Sequence, residues 1–301
     1  MPVSVTHYSD PGCPWAYSVN PALAVLRWRY GEQLDWRLVT IGLTERREQY
    51  ERRGYTPELM AQAYRRFRRF GMPLATQPRE VVPATGRACR AIVAAGLASP
   101  GAEWAAFRAL QLAWFTTARV LDEDAEIAAA LEGAEGVDPV RAVEAIDSPE
   151  VVEAYEAGKA EARTAEGSPT EFQRKAATTD GPVRYTAPSL VFTSQGNRLE
   201  AGGFQTLEAY DVLIANLDPT LDRRDPPDDP SEVLDRFPEG LTTAEVAAVL
   251  APHNAAPDPE ATEDALITLV GAGRATRTAL ADDALWTGRE PSRPMLGGSH
   301  A

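Results

Sequence analysis

Apolar and polar positions alternate from Val3 to Tyr8, the turn residues Asp10-Pro11-Gly12 follow, and Trp15, Val19, Leu23, Leu26 and Tyr30 then recur at helical spacing. The pattern predicts strand, turn and helix. Pro21 falls inside the helix, where it removes a backbone donor and crowds the carbonyl of Tyr17, so a kink is expected there. Gly31 ends the helix. Leu34 to Ile41 reads as a second strand, which a right-handed crossover would set parallel to the first.

From Pro57 to about residue 165 the periodicity is helical almost throughout. Leu59, Met60, Ala63, Tyr64, Phe67 and Phe70 make one apolar face beneath a Thr56 cap, and a further helix is expected from Gly86 to Gly96. The most aromatic helix carries Trp104, Phe107, Leu110, Leu112, Trp114 and Phe115, and Ile127, Leu131, Val140, Ile146 and Val151 continue the pattern. Strand character returns at Ser189 to Thr193, with turn chemistry at 194–197, a return strand to Ala201 and a last helix bearing Leu207, Tyr210 and Ile214.

Residues 218–230, rich in Pro and Asp, read as a linker. Beyond it, short helices are expected at Leu241–Val246 and Thr262–Val270, then a hairpin over Arg274–Trp286. Helix, helix and hairpin in that order resemble a winged-helix module over residues 231–290, and residues 291–301 read as a disordered tail.

Composition narrows the function classes. The 301 residues carry a net charge of −14, which disfavours phosphate backbones and anionic lipid as general partners. Residues 231–290 hold eleven acids against four arginines, a net −7, so this module is expected to dock or to make a homodimer rather than to bind DNA. Met1-Pro2 runs into Val3-Ser4-Val5 without a basic segment and apolar run, and no stretch approaches membrane-spanning length, so a cytoplasmic protein without a membrane partner is expected. Cys13 and Cys89 are the two cysteines, which excludes a secreted disulfide framework.

Cys13-Pro14 opens the first helix. Unpaired N–H groups there favour thiolate over thiol, and Pro14 suits the first helical position, so Cys13 is expected to be an ionised nucleophile, with simple packing as the alternative. Cys89, among Ile92, Val93 and Gly96, reads as a packing cysteine. His7, in phase with Val3 and Val5, is expected to be a core histidine with satisfied nitrogens, a place near Cys13 being the alternative. Arg65-Arg66 and Arg68-Arg69 read as a solvated helix surface in preference to a basic patch, and no spacing suggests a metal site.

Asp10-Pro11-Gly12-Cys13-Pro14-Trp15 resembles the active-site segment of DsbA-like thioredoxin-fold proteins, in particular the FrnE-like branch, and Thr186-Ala187-Pro188-Ser189 resembles that family's cis-proline segment. The resemblance spans roughly residues 1–217. It implies an α/β protein with a thioredoxin-like fold and a large all-helical insertion at about 57–165, to which the small C-terminal winged-helix-like domain is added. It further implies a cis Pro188, Ala187 beside a catalytic Cys13, and a substrate or thiol bound along Pro14, Trp15, Ala187 and Pro188.

One departure shapes the chemistry: Ala16 stands where that family has its second cysteine. No thiol within the motif can resolve a mixed disulfide on Cys13, so a low-molecular-weight thiol (glutathione, mycothiol or similar) is the expected partner in a monothiol thiol–disulfide oxidoreductase acting on a small thiol or disulfide. The 2-hydroxychromene-2-carboxylate isomerases and kappa-class glutathione transferases, which also lack the second cysteine but usually have serine at position 13, offer a thiol-dependent isomerase or transferase instead. A non-catalytic binding module on the same fold is the third reading.

Overall fold

The computed structural model describes residues 2–179, 181–253 and 255–289; the expected tail at 291–301 lies outside them. Strand β1 (Val3–Ser9) buries Val3, Val5 and His7 on its inner face, and the chain turns into α1 (Pro14–Ser18) and α2 (Asn20–Tyr30). The single kinked helix of the sequence reading is two helices broken at Val19. Pro21 sits in the first turn of α2, where no backbone donor is needed, and Leu23 N bonds the Val19 carbonyl at 3.1 Å. Gly31, at φ 53°, ends α2, and β2 (Leu34–Thr40) runs parallel to β1 with Val3 opposite Leu34 and Ser9 opposite Thr40.

The helical insertion begins earlier than the periodicity suggests, with α3 (Arg47–Glu51), followed by α4 (Pro57–Tyr64). The helix expected to continue through Phe70 instead tightens into a 3-10 helix over Arg65–Phe70, stopped by Gly71 at φ 81°. Leu59, assigned to its apolar face, is 51% exposed, and Val140 is likewise at the surface. Helices α5 (Gly86–Ala98), α6 (Ala102–Thr116), α7 (Asp124–Leu131), α8 (Pro139–Glu144) and α9 (Pro149–Ala162) complete the insertion. Its core gathers Ile92, Phe107, Leu110, Trp114, Phe115 and Leu131.

After the short α10 (Pro169–Phe172), β3 (Ala176–Ala177) and β4 (Arg184–Tyr185) form a small antiparallel pair that alternation is too short to announce. Strands β5 (Ser189–Ser194) and β6 (Asn197–Ala201) form the expected hairpin, its turn made by Gln195 and Gly196 with positive φ. The sheet order is β2-β1-β5-β6, with β5 antiparallel to β1, and α11 (Leu207–Leu217) covers the β5–β6 side.

The C-terminal elements are α12 (Pro230–Arg236), β7 (Leu241–Thr242), α13 (Thr243–Leu250), α14 (Pro259–Gly271), β8 (Ala275–Leu280) and β9 (Asp283–Gly288), with strand order β7-β9-β8. A capping box starts α13: Glu245 N bonds the Thr242 hydroxyl and Thr242 N bonds the Glu245 carboxylate. This region packs onto α2. Its core of Val233, Phe237, Val246, Leu266 and Trp286 takes in Ala24, Val25 and Trp28 of α2. The segment read as a linker is itself tied down, since Asp225 O accepts from Trp28 Nε1 at 2.9 Å and Arg224 N bonds Arg29 O at 2.9 Å.

Candidate active site

The end of β1 delivers a buried carboxylate before it delivers the cysteine. Asp10 is fully buried and accepts from Gly12 N at 2.9 Å, Leu43 N at 2.8 Å, the Thr85 hydroxyl at 2.9 Å and Cys89 Sγ at 3.5 Å. Every one of these donors is neutral. Burial pushes the Asp10 carboxyl above its ordinary range, against the opposing pull of those hydrogen bonds. The turn is packed so closely that a Cβ at Gly12 would come 2.7 Å from Thr85 Cγ2 and 2.8 Å from Trp114 Cζ2, which accounts for glycine there.

Cys13 caps α1, its backbone N–H bonded to Asp10 O at 3.1 Å and Pro14 occupying the first turn. Its Sγ–H donates to the Ala187 carbonyl at 3.1 Å, and the Ala187–Pro188 bond is cis. Cys13, Ala187 and Pro188 are buried and Pro14 is half-buried, so four of the five residues singled out by sequence meet at one place. Trp15, the fifth, turns outward. It is 40% exposed and packs against Phe67, Phe70 and Phe204 at ring-centroid distances of 4.9, 5.8 and 5.6 Å.

The expected ionised thiolate is not what this geometry favours. Burial pushes the Cys13 thiol up to about 12, with the charge of Asp10 acting in the same direction and the N–H groups of Ala16 and Trp15 and the charge of Arg184 opposing it. The magnitudes explain the outcome. A helix N-terminus contributes about 0.3–1 kcal/mol, less than one pKa unit, whereas full burial can move a group by roughly 3–5 units. Here α1 has only five residues before the break at Val19, and the bond to Ala187 O uses the thiol proton, so it too favours the neutral form.

Cys89 lies in the core of α5, as its neighbours suggest, but its thiol points at Asp10 and is raised well above its usual value by burial and by that carboxylate. His7 is buried facing Trp104 and Phe107 of α6, each ring centroid 6.2 Å away. Its nitrogens are not satisfied as expected: neither has a hydrogen-bond partner among the described residues, and burial lowers the imidazole to about 4. The apolar side chains of α6 on that face leave it nothing to bond.

Sequence reasoning gave Asp10 no role beyond the turn of the active-site segment, took Tyr64 as part of an apolar helix face, and passed over Thr85 and Arg79. Tyr64 and Arg79, with Tyr50 and Trp114, line a cavity of about 10 Å³ beside Gly12, room for about one water. Arg79 donates to the carbonyls of Trp114, Thr117 and Arg119 at the end of α6, a role that no local pattern around 75–85 could announce. Among the described residues, no group of three or more His, Cys, Asp or Glu is placed to hold a metal ion, and no helix is long and apolar enough to cross a membrane.

Fold and site together define a thioredoxin-type protein with its cysteine opposite a cis-proline. More narrowly, the model of the DSBA-like thioredoxin domain matches residues 4–182, over half of the chain, and the chain belongs to that family. The match stops short of Ala187 and Pro188. No curated protein matches the chain. Solved structures similar to it include a protein assigned as a DsbA oxidoreductase from Streptomyces coelicolor (TM-score 0.53, 18% identity, covering 72% of this chain and 91% of that one). The cytosolic disulfide reductase DsbM from Pseudomonas aeruginosa is another (0.50, 16%, 71% and 98%). A third is assigned as a protein disulfide isomerase from Nitrosomonas europaea (0.51, 19%, 72% and 97%). At these identities the likeness is one of fold.

Proposed function

We propose that the chain is a monothiol thiol–disulfide oxidoreductase in which Cys13 is the nucleophile and a low-molecular-weight thiol closes the cycle. The observation that carries the reading is the 3.1 Å contact between Cys13 Sγ and the Ala187 carbonyl next to cis Pro188. It joins the sulfur to a backbone acceptor that is released once the sulfur has lost its proton.

The Cys13 thiol gives its proton to solvent, and the thiolate attacks a disulfide R–S–S–R′. The bond from Cys13 to R–S forms, R′–S⁻ leaves and takes up a proton, and the Ala187 carbonyl is then free to accept from the bound partner. With Ala16 in place of a second cysteine, an external thiol R″–SH attacks as its thiolate, releases Cys13 and leaves with R as R–S–S–R″. Such a cycle suits a thiol-rich reducing compartment such as the cytoplasm. Pro14, Trp15, Ala187 and Pro188 form the surroundings of the mixed disulfide.

Intact-mass measurement after exposure to small disulfides, glutathione and mycothiol disulfides among them, tests this. A long-lived adduct on Cys13, absent in Cys13→Ser and shortened in Ala16→Cys, is the expected result; no adduct with any of them overturns the reading. Turnover of an aromatic substrate only with added thiol, without reduction of any disulfide, would favour a thiol-dependent isomerase or transferase, a reading to which Ala16 lends equal support.

A further inference from the structure

The sequence Arg65-Arg66-Phe67-Arg68-Arg69-Phe70 repeats every three residues, and it folds as a 3-10 helix, which has three residues per turn. Residues i and i+3 therefore stand above one another. The repeat becomes three rows: Phe67 with Phe70, Arg65 with Arg68, and Arg66 with Arg69. An α-helix would rotate each pair apart by about 60° and blur the rows.

The aromatic row faces Trp15, two residues on from Cys13, and Phe204 joins it. The two arginine rows face solvent and all four side chains are exposed. Arg68 lies 3.5 Å from Asp282 and Arg69 stacks over the Phe70 ring at 4.8 Å. Arg65 and Arg66 have no acidic partner among the described residues, on a chain of net charge −14. Gln62, Arg65, Arg66 and Arg68 line an open concavity of about 480 Å³. Cations crowded on one short helix repel one another, and a complementary anion relieves that repulsion while gaining a steered approach.

We propose that this face docks an acidic polypeptide segment, which lays apolar side chains on Trp15, Phe67 and Phe70 and its carboxylates along the arginine rows. This rests on the reading of Cys13 above for what is presented to the sulfur. Six residues at about 2 Å rise give a track of about 12 Å, the length of three to four extended residues. A short acidic stretch fits within it, whereas a nucleic acid would carry its charge onward over the acidic remainder of the surface.

Fluorescence anisotropy on the full chain tests the docking without chemistry, using labelled peptides of one length that carry serine instead of cysteine and are acidic, neutral or basic. The acidic peptide is expected to bind about tenfold tighter than the neutral one at low salt, with the advantage shrinking toward about 0.5 M salt. Arg65→Ser combined with Arg66→Ser should remove most of that advantage, and Arg141→Ser on α8 should not. Equal binding of acidic and neutral peptides, a preference untouched by the double variant, or tighter binding of a single-stranded oligonucleotide each overturns it. If the preference stands but cysteine-bearing disulfide versions form no adduct on Cys13, the docking holds and the exchange reading falls. If adducts form without preference, the docking alone falls.

Discussion

Two buried carboxylates sit at opposite ends of this protein's chemistry. Glu245, where the C-terminal elements meet the insertion, faces the Arg108 guanidinium with both oxygens at 2.9 Å and accepts from Thr242 N and its hydroxyl at 2.8 and 2.9 Å. Burial works against its charge, yet the charge and hydrogen bonds of Arg108 outweigh it and hold the carboxyl below its ordinary range. Asp10, beside Cys13, is as deeply buried but no guanidinium or ammonium pairs with it among the described residues, and its carboxyl moves the other way. The junction is built to stay charged and closed. The site keeps a carboxylate whose charge is poorly compensated, within reach of the sulfur it influences.

Breaking the compensated pair should give the largest effect. Arg108→Ala leaves Glu245 buried and unpaired and should lower stability by about 3–5 kcal/mol in urea unfolding, whereas Arg108→Met with Glu245→Leu should recover most of it. Because the folded carboxyl is held below its unfolded value, its contribution is present above the unfolded value, about 4.3, and is lost as pH falls through the lowered folded one. A loss under about 1 kcal/mol would mean that the Arg108–Glu245 pair contributes no more than an exposed ion pair does.

His7 sharpens the comparison from the other sign of charge. With no partner for either nitrogen, burial lowers it from 6.5 to about 4, so the unfolded chain binds its proton first as pH falls. The folded state should therefore lose roughly 3 kcal/mol between about pH 6.5 and pH 4, and the slope should flatten in His7→Leu. Equal slopes in the two proteins would show that the imidazole finds a partner after all.

These environments mark how far the chain could be read from its sequence. Period-two and helical spacing located β1, β2, the β5–β6 hairpin and the aromatic helix α6, because each buries one face along its length. Cys13 and Pro14 stood out through their place at the start of the first helix, whereas Ala187 and Pro188 were singled out through the family resemblance alone. The state of the Cys13 thiol was not legible, since it depends on burial by Val39, Tyr185 and Val191, all distant in sequence, as well as by nearby Tyr8. Asp10 and Cys89 meet across 79 positions, and their contact leaves no local trace. The break at Val19 and the 3-10 turn at 65–70 were missed because an apolar pattern that fits one long helix also fits two shorter ones.

Asp10→Asn tests the uncompensated carboxylate, and its effect on stability is the smallest of the three while its effect on the sulfur is the most telling. Asparagine keeps one acceptor oxygen but turns an N–H₂ toward donors among Gly12 N, Leu43 N and the Thr85 hydroxyl, so a loss of about 1–3 kcal/mol is expected. Burial is the main reason Cys13 is hard to ionise, and the Asp10 charge adds to it. Removing that charge leaves burial in place but should move the midpoint of Cys13 alkylation to lower pH than in the unchanged protein. Mass spectrometry of iodoacetamide-treated protein across pH reads it, with the unchanged protein run in parallel as the comparison, because Cys89 itself bonds Asp10. A midpoint that does not move would mean that Asp10 holds a proton whenever Cys13 reacts. The contrast with Glu245 would then be between a charged carboxylate and a neutral carboxylic acid, and the carboxyl would act on Cys13 only through the turn it holds in place.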